Sequence, residues 1–297
     1  MFWILSKQPM LQSEFAPAKI NLTLEILGRR ADGYHELRSL VAFAHDAGDV
    51  VTLAPGSSSG VETTGSFAGD ISGSNLVDKA ISAFAAKAPN MTLRRLMLEK
   101  NLPVASGIGG GSADAAATLR LLSKVYPGLS DRDLHAIART LGADVPVCVR
   151  AQPVIMTGVG ETLEEIALPR DLHAVLVNPL LAVPANKTSQ VFAALGAAPL
   201  TAPPETEPAP RLSDVHDVGA YAKARGNDLQ APAQKLFPEI ETVLAELHRT
   251  EGALLAQLSG AGPTCFALFA TKQEAEAGAS ALQQRQPNWW IRPTRLG

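Results

Sequence analysis

The pattern of hydrophobic and polar positions predicts alternating strands and helices along the chain. Residues 19–27 (KINLTLEIL) place Ile20, Leu22, Leu24 and Ile26 opposite polar neighbours, which is the period of a half-buried strand. Further strands are predicted at 40–44, 49–54, 91–100, 172–179, 252–269 (a hairpin around a glycine turn) and 289–293. Helices are predicted at 75–88, 132–141, 187–195, 240–247 and 271–285.

The end of one predicted helix places an acidic residue at a loop. Apolar residues spaced three and four apart in 134–141 mark one helical face, and Gly142 stands where a C-terminal cap belongs. Asp144 should therefore lie just beyond the helix, ahead of an apolar strand at 145–149. This position keeps its carboxylate off a solvated helix face.

The order of elements changes near residue 170. The second half reads as strand, helix, hairpin, helix and strand, which resembles a split β-α-β-β-α-β unit apart from one extra helix before residue 250. Residues 197–213 are rich in proline and are expected to form a surface insertion. We predict an α+β fold with a mixed α/β N-terminal domain (1–165) and a ferredoxin-like C-terminal domain (166–297).

A glycine-rich stretch precedes a helix in the first half. Gly107, Gly109, Gly110 and Gly111 fall within five positions and lead into Ser112 and an alanine-rich segment with the look of a helix. The free amides and the dipole at such a helix start favour an anion, for which phosphate is the expected ligand. Ser112 could cap the helix and still offer its hydroxyl to phosphate or metal. The alternative is a tight turn where helix and sheet approach closely.

Two common phosphate-binding motifs do not describe this stretch. A P-loop requires Lys-Ser/Thr after its last glycine, and Ser112-Ala113 stands there instead. The dinucleotide motif G-x-G-x-x-G also fails, because Ser112 or Asp114 occupies the place of its last glycine. The glycine-rich stretch must belong to another class.

Composition and charge limit the possible partners. The 297 residues are 46% hydrophobic and 19% charged, which is ordinary for a globular protein and sufficient for two cores. A net charge of −3 gives no field that favours nucleic acid or an anionic membrane. Cys148 and Cys265 lie in apolar runs, which suits a reducing cytosol, and the apolar residues 1–6 are too few for a signal-peptide core. A cytoplasmic protein is expected, and nothing here decides between monomer and dimer.

Three motifs in order resemble those of the GHMP kinase superfamily, which includes galactokinase and the homoserine, mevalonate and phosphomevalonate kinases. They are residues 16–37 (APAKINLTLEILGRRADGYHEL), 103–117 (PVASGIGGGSADAAA) and 258–269 (LSGAGPTCFALF). Together with LGADVPVCV (141–149) and GVGE (158–161), they are most similar to the branch that phosphorylates the 2-hydroxyl of a cytidyl-linked methylerythritol in the non-mevalonate isoprenoid pathway. The similarity runs from about residue 15 to beyond residue 270.

The resemblance implies a GHMP-kinase-like fold whose N-terminal domain binds ATP and carries the catalytic residues. Asn75 and Leu76 would line the adenine pocket, although Leu76 could equally belong to the core. ATP transfer implies Mg²⁺, for which Ser112 is the one candidate protein ligand. The residues expected to surround the ATP phosphates are Pro103, Val104, Ala105, Ser106, Gly107, Ile108, Gly109, Gly110, Gly111, Ser112 and Ala113.

The resemblance makes Asp144 the catalytic aspartate and Lys19 its partner. Phosphoryl transfer needs positioning and positive charge around the migrating group, and a carboxylate beside the acceptor can take the hydroxyl proton. Lys19 would pair with Asp144 and steady the γ-phosphate. Taken singly, Asp144 could be a loop carboxylate that accepts backbone amides, and Lys19 a solvated strand residue.

A small cytidyl molecule is the acceptor that the resemblance implies. Tyr34 and Phe192 would hold the two faces of the cytosine, and His35 would hydrogen-bond its edge. Asn21, on the same strand face as Lys19, would bind the acceptor hydroxyls. Phe192 could instead be the core face of a short helix, and Tyr34 a lid. The remaining expected substrate residues are Lys100 near the cytidine, Thr188 in the pocket, and Gly260 and Gly262 in a turn that closes on the phosphates.

Two other functions stay open at the level of sequence. A kinase of mevalonate type is one, although Tyr34 and His35 after ADG favour a cytidyl acceptor. A sensor that binds nucleotide without turnover is the other, and the loss of lysine or aspartate would favour it. Both Lys19 and Asp144 are present.

Overall fold

A computed structural model describes residues 12–54, 60–71, 75–92 and 95–297. The apolar residues 1–6 considered above lie outside these ranges. No helix within the described ranges is long and apolar enough to cross a membrane.

One long strand organises the first half of the chain. Strand β3 (His35–Leu53) pairs antiparallel with β1 (Gln12–Asn21), β2 (Glu25–Arg29), β5 (Arg95–Glu99) and β6 (Val154–Gly158). The two strands predicted at 40–44 and 49–54 are therefore parts of one strand. The single strand predicted at 19–27 is wrong, because the chain leaves β1 after Asn21 and starts β2 at Glu25.

Strands of the second half complete a continuous sheet. The order β11 (Trp290–Leu296), β8 (Leu172–Asn178), β10 (Cys265–Phe269), β9 (Ala253–Leu258) is that of a split β-α-β-β-α-β unit, as predicted. Pairing of Leu296 with Ala44 joins β11 to β3. The boundary at residue 165 stays a prediction. Two short strands lie beside the first half, β4 (Gly60–Thr64) on β5 and β7 (Thr162–Glu165) on β6.

The predicted helices are confirmed with small changes of their ends. Their bounds are α1 (Leu76–Lys87), α2 (Gly110–Val125), α3 (Asp131–Leu141), α5 (Lys187–Leu195), α8 (Glu239–His248) and α9 (Lys272–Arg285). Three helices and a 3₁₀ turn were not predicted, namely α4 (Val145–Arg150), α6 (Val215–Arg225), α7 (Gln230–Leu236) and Ala68–Asp70. The strand predicted at 145–149 is wrong, because Pro146 lies in the first turn of α4, where proline suits a helix start.

Helix α2 lies at the centre of the first half. Ala113, Ala115, Ala116 and Ala117 are all buried between neighbouring helices and the sheet. Small side chains let the helix approach β1 and β3 closely, which explains why this segment is rich in alanine. The N-terminus of α2, and the glycines ahead of it, are thereby held in a fixed position over the sheet.

The proline-rich segment 197–213 lies on the surface against β2. The backbone N–H of Leu200 donates to the Arg29 carbonyl at 2.8 Å, and the Arg29 N–H donates to Ala198 at 2.8 Å. Glu207 forms an ion pair with Arg225 of α6 at 2.5 Å. Residues 198–200 of this segment therefore pair with the end of β2.

Candidate active site

The glycine loop (residues 100–109) connects β5 to α2. Gly107 has a φ of +82° and Gly109 a φ of +66°, which are left-handed values that glycine adopts without strain. Helix α2 begins at Gly110 with Gly109 as its cap, so Ser112 is the third helical residue and not the cap that the sequence suggested. The free amides of this first turn make an anion site at the mouth of the loop.

Buried charges hold the base of the glycine loop. Oδ1 of Asp49, on β3, accepts hydrogen bonds from the backbone N–H groups of Asn101 (2.6 Å) and Leu102 (2.8 Å). The Lys100 ammonium forms ion pairs with Asp49 and, at 2.7 Å, with Asp114 of α2. Lys100 therefore supports the base of the glycine loop, and its expected position beside the cytidine stays a prediction. Its charge is already used by two carboxylates.

This buried cluster holds one ammonium between two carboxyl groups. Burial raises the pKa of the Asp114 carboxyl, with Asp49 adding to the effect and Lys100 opposing it. Oδ1 of Asp114 is buried and has no hydrogen-bond partner in the described part of the chain. The hydrogen-bonding capacity of that oxygen is therefore unused.

The C-terminal turn (residues 259–264) between β9 and β10 packs against the glycine loop. The Thr264 N–H donates to the Ser106 carbonyl at 3.1 Å, and the Ser259 hydroxyl donates to the Gly107 carbonyl at 3.3 Å. A side-chain carbon on Gly107 would lie 2.6 Å from the carbonyl oxygen of Gly262. Gly107 is needed because two backbones meet there without room for a side chain, and a side-chain carbon on Gly260 would likewise lie 2.8 Å from the Gly107 carbonyl oxygen.

Gly107→Ala is expected to lower the free energy of unfolding by at least about 1–3 kcal/mol, because alanine is strained at a positive φ and overlaps Gly262. ATP affinity should fall with it, since the two backbones must separate. Urea denaturation and ATP titration measure the two effects. Gly219→Ala in α6, where a side-chain carbon meets nothing within 4 Å, is the control. Equal urea midpoints for Gly107→Ala and the native protein would contradict this packing.

Lys19 and Asp144 form an ion pair beside the glycine loop. The Lys19 ammonium lies 2.7 Å from Oδ1 of Asp144, and the Lys19 N–H donates to the Ile108 carbonyl at 2.9 Å. Lys19 is 4% exposed, whereas the Asp144 side chain keeps 39% of its surface. The helix end at Gly142 puts Asp144 just beyond α3, as predicted. A buried ammonium and a partly exposed carboxylate are thus paired beside the glycine loop.

Asn21 lies on the same strand face as Lys19, as the period of two predicted. Its amide nitrogen donates to the Ser39 hydroxyl at 2.8 Å, and that hydroxyl donates to the Thr23 carbonyl at 2.5 Å. Its amide oxygen points toward Gly260, at 3.4 Å from where a side-chain carbon would stand. These two hydrogen bonds fix the orientation of the Asn21 amide, so the amide oxygen faces the C-terminal turn.

A first cavity of about 450 Å³ brings most of the predicted site residues together. Asn75, which also caps α1 by accepting from the Val77 N–H at 3.0 Å, lines it with Leu76. Ile108 and Ala113 belong to the core instead, and Gly262 lies behind the lining. The other predicted residues on the wall are Lys19, Asn21, Lys100, Pro103, Val104, Ala105, Ser106, Gly107, Gly109, Gly110, Gly111, Ser112, Asp144, Thr188, Phe192 and Gly260.

A second cavity of about 730 Å³ adjoins the first and shares Ser112, Asp144, Thr188 and Phe192 with it. Tyr34 and His35, from the turn between β2 and β3, also line it. The shared residues place Asp144 where the two cavities meet. A ligand in either cavity could therefore reach this carboxylate.

The aromatic residues of the second cavity differ in exposure. Tyr34 is 65% exposed, while the rings of His35 and Phe192 contact each other with centroids 4.8 Å apart. Burial, with the nearby charge of Arg29, lowers the pKa of His35, which favours the neutral ring with one donor and one acceptor. Phe192 thus packs against His35, and Tyr34 is the ring that leaves most of its surface exposed.

The donors at the mouth of the loop fit a magnesium ion held mainly by nucleotide and water. No group of three His, Cys, Asp or Glu residues in the described ranges could hold a metal. Ser112 and Asp114, whose Oδ1 has no hydrogen-bond partner in the described ranges, are among the residues with oxygen atoms that line the cavity. Mg²⁺ in phosphate-transfer sites usually takes few protein ligands and keeps several waters.

Sequence reasoning did not single out Asp49, Asp114 or Lys187, all of which are buried at the site. Asp114 carries a signal, since it is an acidic residue inside an alanine-rich helix. Asp49 begins a predicted apolar strand, and no feature of the sequence around it points to a functional role. Lys187 opens a predicted helix, where a solvated lysine is the ordinary interpretation.

Comparison with known proteins confirms, over most of the chain, the family resemblance predicted from the sequence. Residues 75–152 match the model of the GHMP kinase N-terminal domain, and residues 209–288 that of the GHMP kinase C-terminal domain. The chain is 46% identical to 4-diphosphocytidyl-2-C-methyl-D-erythritol kinase of Rhodopseudomonas palustris, over 93% of this chain and 94% of that protein.

Solved structures are similar in the same way. A crystal structure of 4-(cytidine 5'-diphospho)-2C-methyl-D-erythritol kinase superposes with a TM-score of 0.74 at 34% identity, covering 96% of this chain and 99% of that one. The homoserine kinase of Cytophaga hutchinsonii, at 18% identity and a TM-score of 0.67, covers 100% of this chain and 98% of its own. The second likeness shows a common fold alone.

Proposed function

The chain belongs to the GHMP kinase family, and from this premise we propose that it transfers the γ-phosphoryl group of ATP to the 2-hydroxyl of 4-diphosphocytidyl-2-C-methyl-D-erythritol, giving the 2-phosphate and ADP. The observation that carries the proposal is the Lys19–Asp144 pair at the junction of the two cavities. A phosphoryl group that crosses from one cavity to the other passes this pair.

The donor side is supported by the glycine loop. Amides of the first turn of α2 face the first cavity and would bind the phosphates of ATP, while Asn75 and Leu76 border the adenine. Mg²⁺, held by ATP with Ser112 and Asp114 as candidate ligands, supplies neutralisation of phosphate charge when bound. The buried Lys19 ammonium adds a fixed positive charge on the γ-phosphate side.

The acceptor side is supported by Asp144 and Asn21. Asp144 is accessible from both cavities and would accept the proton of the 2-hydroxyl as the oxygen attacks phosphorus. The ion pair with Lys19 holds the carboxylate in place. The amide oxygen of Asn21, fixed through Ser39, would accept a hydrogen bond from an acceptor hydroxyl. Both residues therefore position one alcohol.

The cytidyl group is assigned to the second cavity. The neutral imidazole of His35 offers one hydrogen-bond donor and one acceptor to the edge of the base, and the ring of Tyr34 offers a face for stacking. We test this by steady-state ADP release with cytidyl, uridyl and unsubstituted methylerythritol substrates. Strong preference for the cytidyl compound is expected, because uridine inverts the donor and acceptor pattern of the edge. Equal kcat/KM for all three would indicate a general small-alcohol kinase, such as one of mevalonate type.

Tyr34→Ala is expected to raise KM for the cytidyl substrate by roughly 10–100-fold at constant ATP KM, because one stacked face is worth about 1–3 kcal/mol. Tyr34 is 65% exposed, so the fold should keep its stability. Tyr34→Phe keeps the ring and is the matched control, with a near-native KM. A native KM in Tyr34→Ala would remove the ring from the base site.

A further inference from the structure

Lys187 joins the two phosphate-facing loops. It is the first residue of α5, it is 3% exposed, and it lines the first cavity. Its ammonium donates to the carbonyl oxygen of Ala105 in the glycine loop at 3.0 Å and to that of Gly262 in the C-terminal turn. One side chain therefore reaches the backbone of both loops at the cavity wall.

The charge of Lys187 has no carboxylate partner. The other buried lysines of this cavity, Lys19 and Lys100, each pair with aspartate, whereas no carboxylate oxygen in the described part of the chain lies within 4.0 Å of the Lys187 ammonium. Two carbonyl dipoles compensate a buried cation only partly. Burial accordingly lowers the pKa of Lys187 to about 8. The position is one where an anion would be stabilised.

We propose that the Lys187 ammonium is a ligand for the phosphate oxygens of a nucleoside diphosphate bound between the glycine loop and the C-terminal turn. An ammonium has three donors, and the two carbonyls use two of them. Residues of both loops, among them Gly109 and Gly260, line the same cavity as Lys187, so the third donor and backbone amides there can bind one diphosphate together. This inference deepens the proposed function and rests on it for the identity of the nucleotide.

Two nucleotides of the proposed reaction carry this group. ATP carries it next to adenine, and the acceptor carries it next to cytosine. Helix α5 also bears Thr188 and Phe192, which line the second cavity, so Lys187 lies at the side of the first cavity nearer the acceptor. Inorganic pyrophosphate, ADP, CDP and cytidine are the probes that separate these sources.

The test measures binding of the four probes by calorimetry, and of cytidine also by NMR titration, to the full chain and to Lys187→Gln. Glutamine keeps a donor for a carbonyl and removes the charge. We expect about 10–100-fold weaker binding of pyrophosphate and of at least one nucleotide, since hydrogen bonds to charged groups are the stronger class. Cytidine, which has no phosphate, should bind as before. Lys187→Arg should recover part of the affinity, and Lys235→Gln, an exposed lysine of α7, should change nothing.

Each outcome decides one point. Loss for CDP and not ADP assigns the diphosphate to the acceptor, and loss for ADP and not CDP assigns it to ATP. Unchanged binding of pyrophosphate, ADP and CDP would overturn the inference, as would an equal loss for cytidine, which would make Lys187 a purely structural bridge. If Lys187→Gln does not fold, Lys187→Met is measured in the same way. Failure of the cytidyl preference in the turnover assay would leave the pyrophosphate result standing, so the two proposals fail separately.

Discussion

Asp144→Asn is expected to lower kcat about 100-fold or more while KM for ATP and for the cytidyl substrate changes by less than about threefold. Asparagine keeps the shape of the side chain and can still contact Lys19, but it cannot take the hydroxyl proton. The Asp144 side chain is 39% exposed at a loop, so the free energy of unfolding should change little. Initial rates of ADP release over a range of both substrates separate kcat from KM.

The matched control for this substitution is Asp171→Asn. Asp171 is an exposed aspartate before β8, away from both cavities, and its loss should leave kcat unchanged. A kcat of Asp144→Asn near that of the control would show that the phosphoryl transition state is loose enough to need no base. Asp144 would then be a residue that positions Lys19. A large rise in the KM of Asp144→Asn for either substrate would lead to the same conclusion.

The helix start behind the glycines was predictable from sequence because its cause is local. Gly107 and Gly109 adopt positive φ directly ahead of a helix, and such a helix start favours phosphate wherever it occurs. The period of two likewise placed Lys19 and Asn21 on one strand face, and the helix end at Gly142 placed Asp144 in a loop. Each of these depends on residues fewer than about ten positions apart in the chain.

The errors occurred where distant residues determine the local structure. Leu22 and Leu24 continue the alternation of 19–27, yet the strand breaks there because Leu24 bridges to Asn227, from the second half of the chain. The valines of 145–149 favour a strand by propensity, but they are buried in the core as a short helix behind Asp144. Burial against a remote element outweighed propensity in both cases.

The setting of Lys100 shows the same limit for electrostatics. The sequence gives the charge of Lys100 and its place at the start of the glycine loop, but its partner Asp49 lies 51 positions away. A resemblance to a family suggests which residues lie near a ligand, but it does not say which atoms those residues contact. The structure gives those atoms for Lys100, which are the carboxyl oxygens of Asp49 and Asp114 at the base of the glycine loop.

Asp49→Ala is expected to be the most destabilising change considered for this protein, with a loss of about 3–5 kcal/mol in the free energy of unfolding. The substitution leaves the N–H groups of Asn101 and Leu102 without an acceptor and removes one of the two partners of the buried Lys100. The glycine loop would lose its attachment to β3, so affinity for ATP should fall as well. Urea denaturation followed by circular dichroism measures the stability, and nucleotide titration measures the affinity.

The control for Asp49→Ala comes from the same strand. Asp46 is exposed and accepts one backbone N–H, from Arg295, so Asp46→Ala should cost about 1 kcal/mol or less. If Asp49→Ala does not fold, Asp49→Asn is measured instead, and it should be destabilised less because its amide oxygen still accepts from the loop. A loss for Asp49→Ala no greater than for Asp46→Ala would mean that Lys100 and Asp114 hold the glycine loop without β3. In that case the ATP affinity of Asp49→Ala should also be unchanged. Agreement between the unfolding free energy and the ATP affinity would therefore decide whether the contact of Asp49 with the glycine loop determines nucleotide binding.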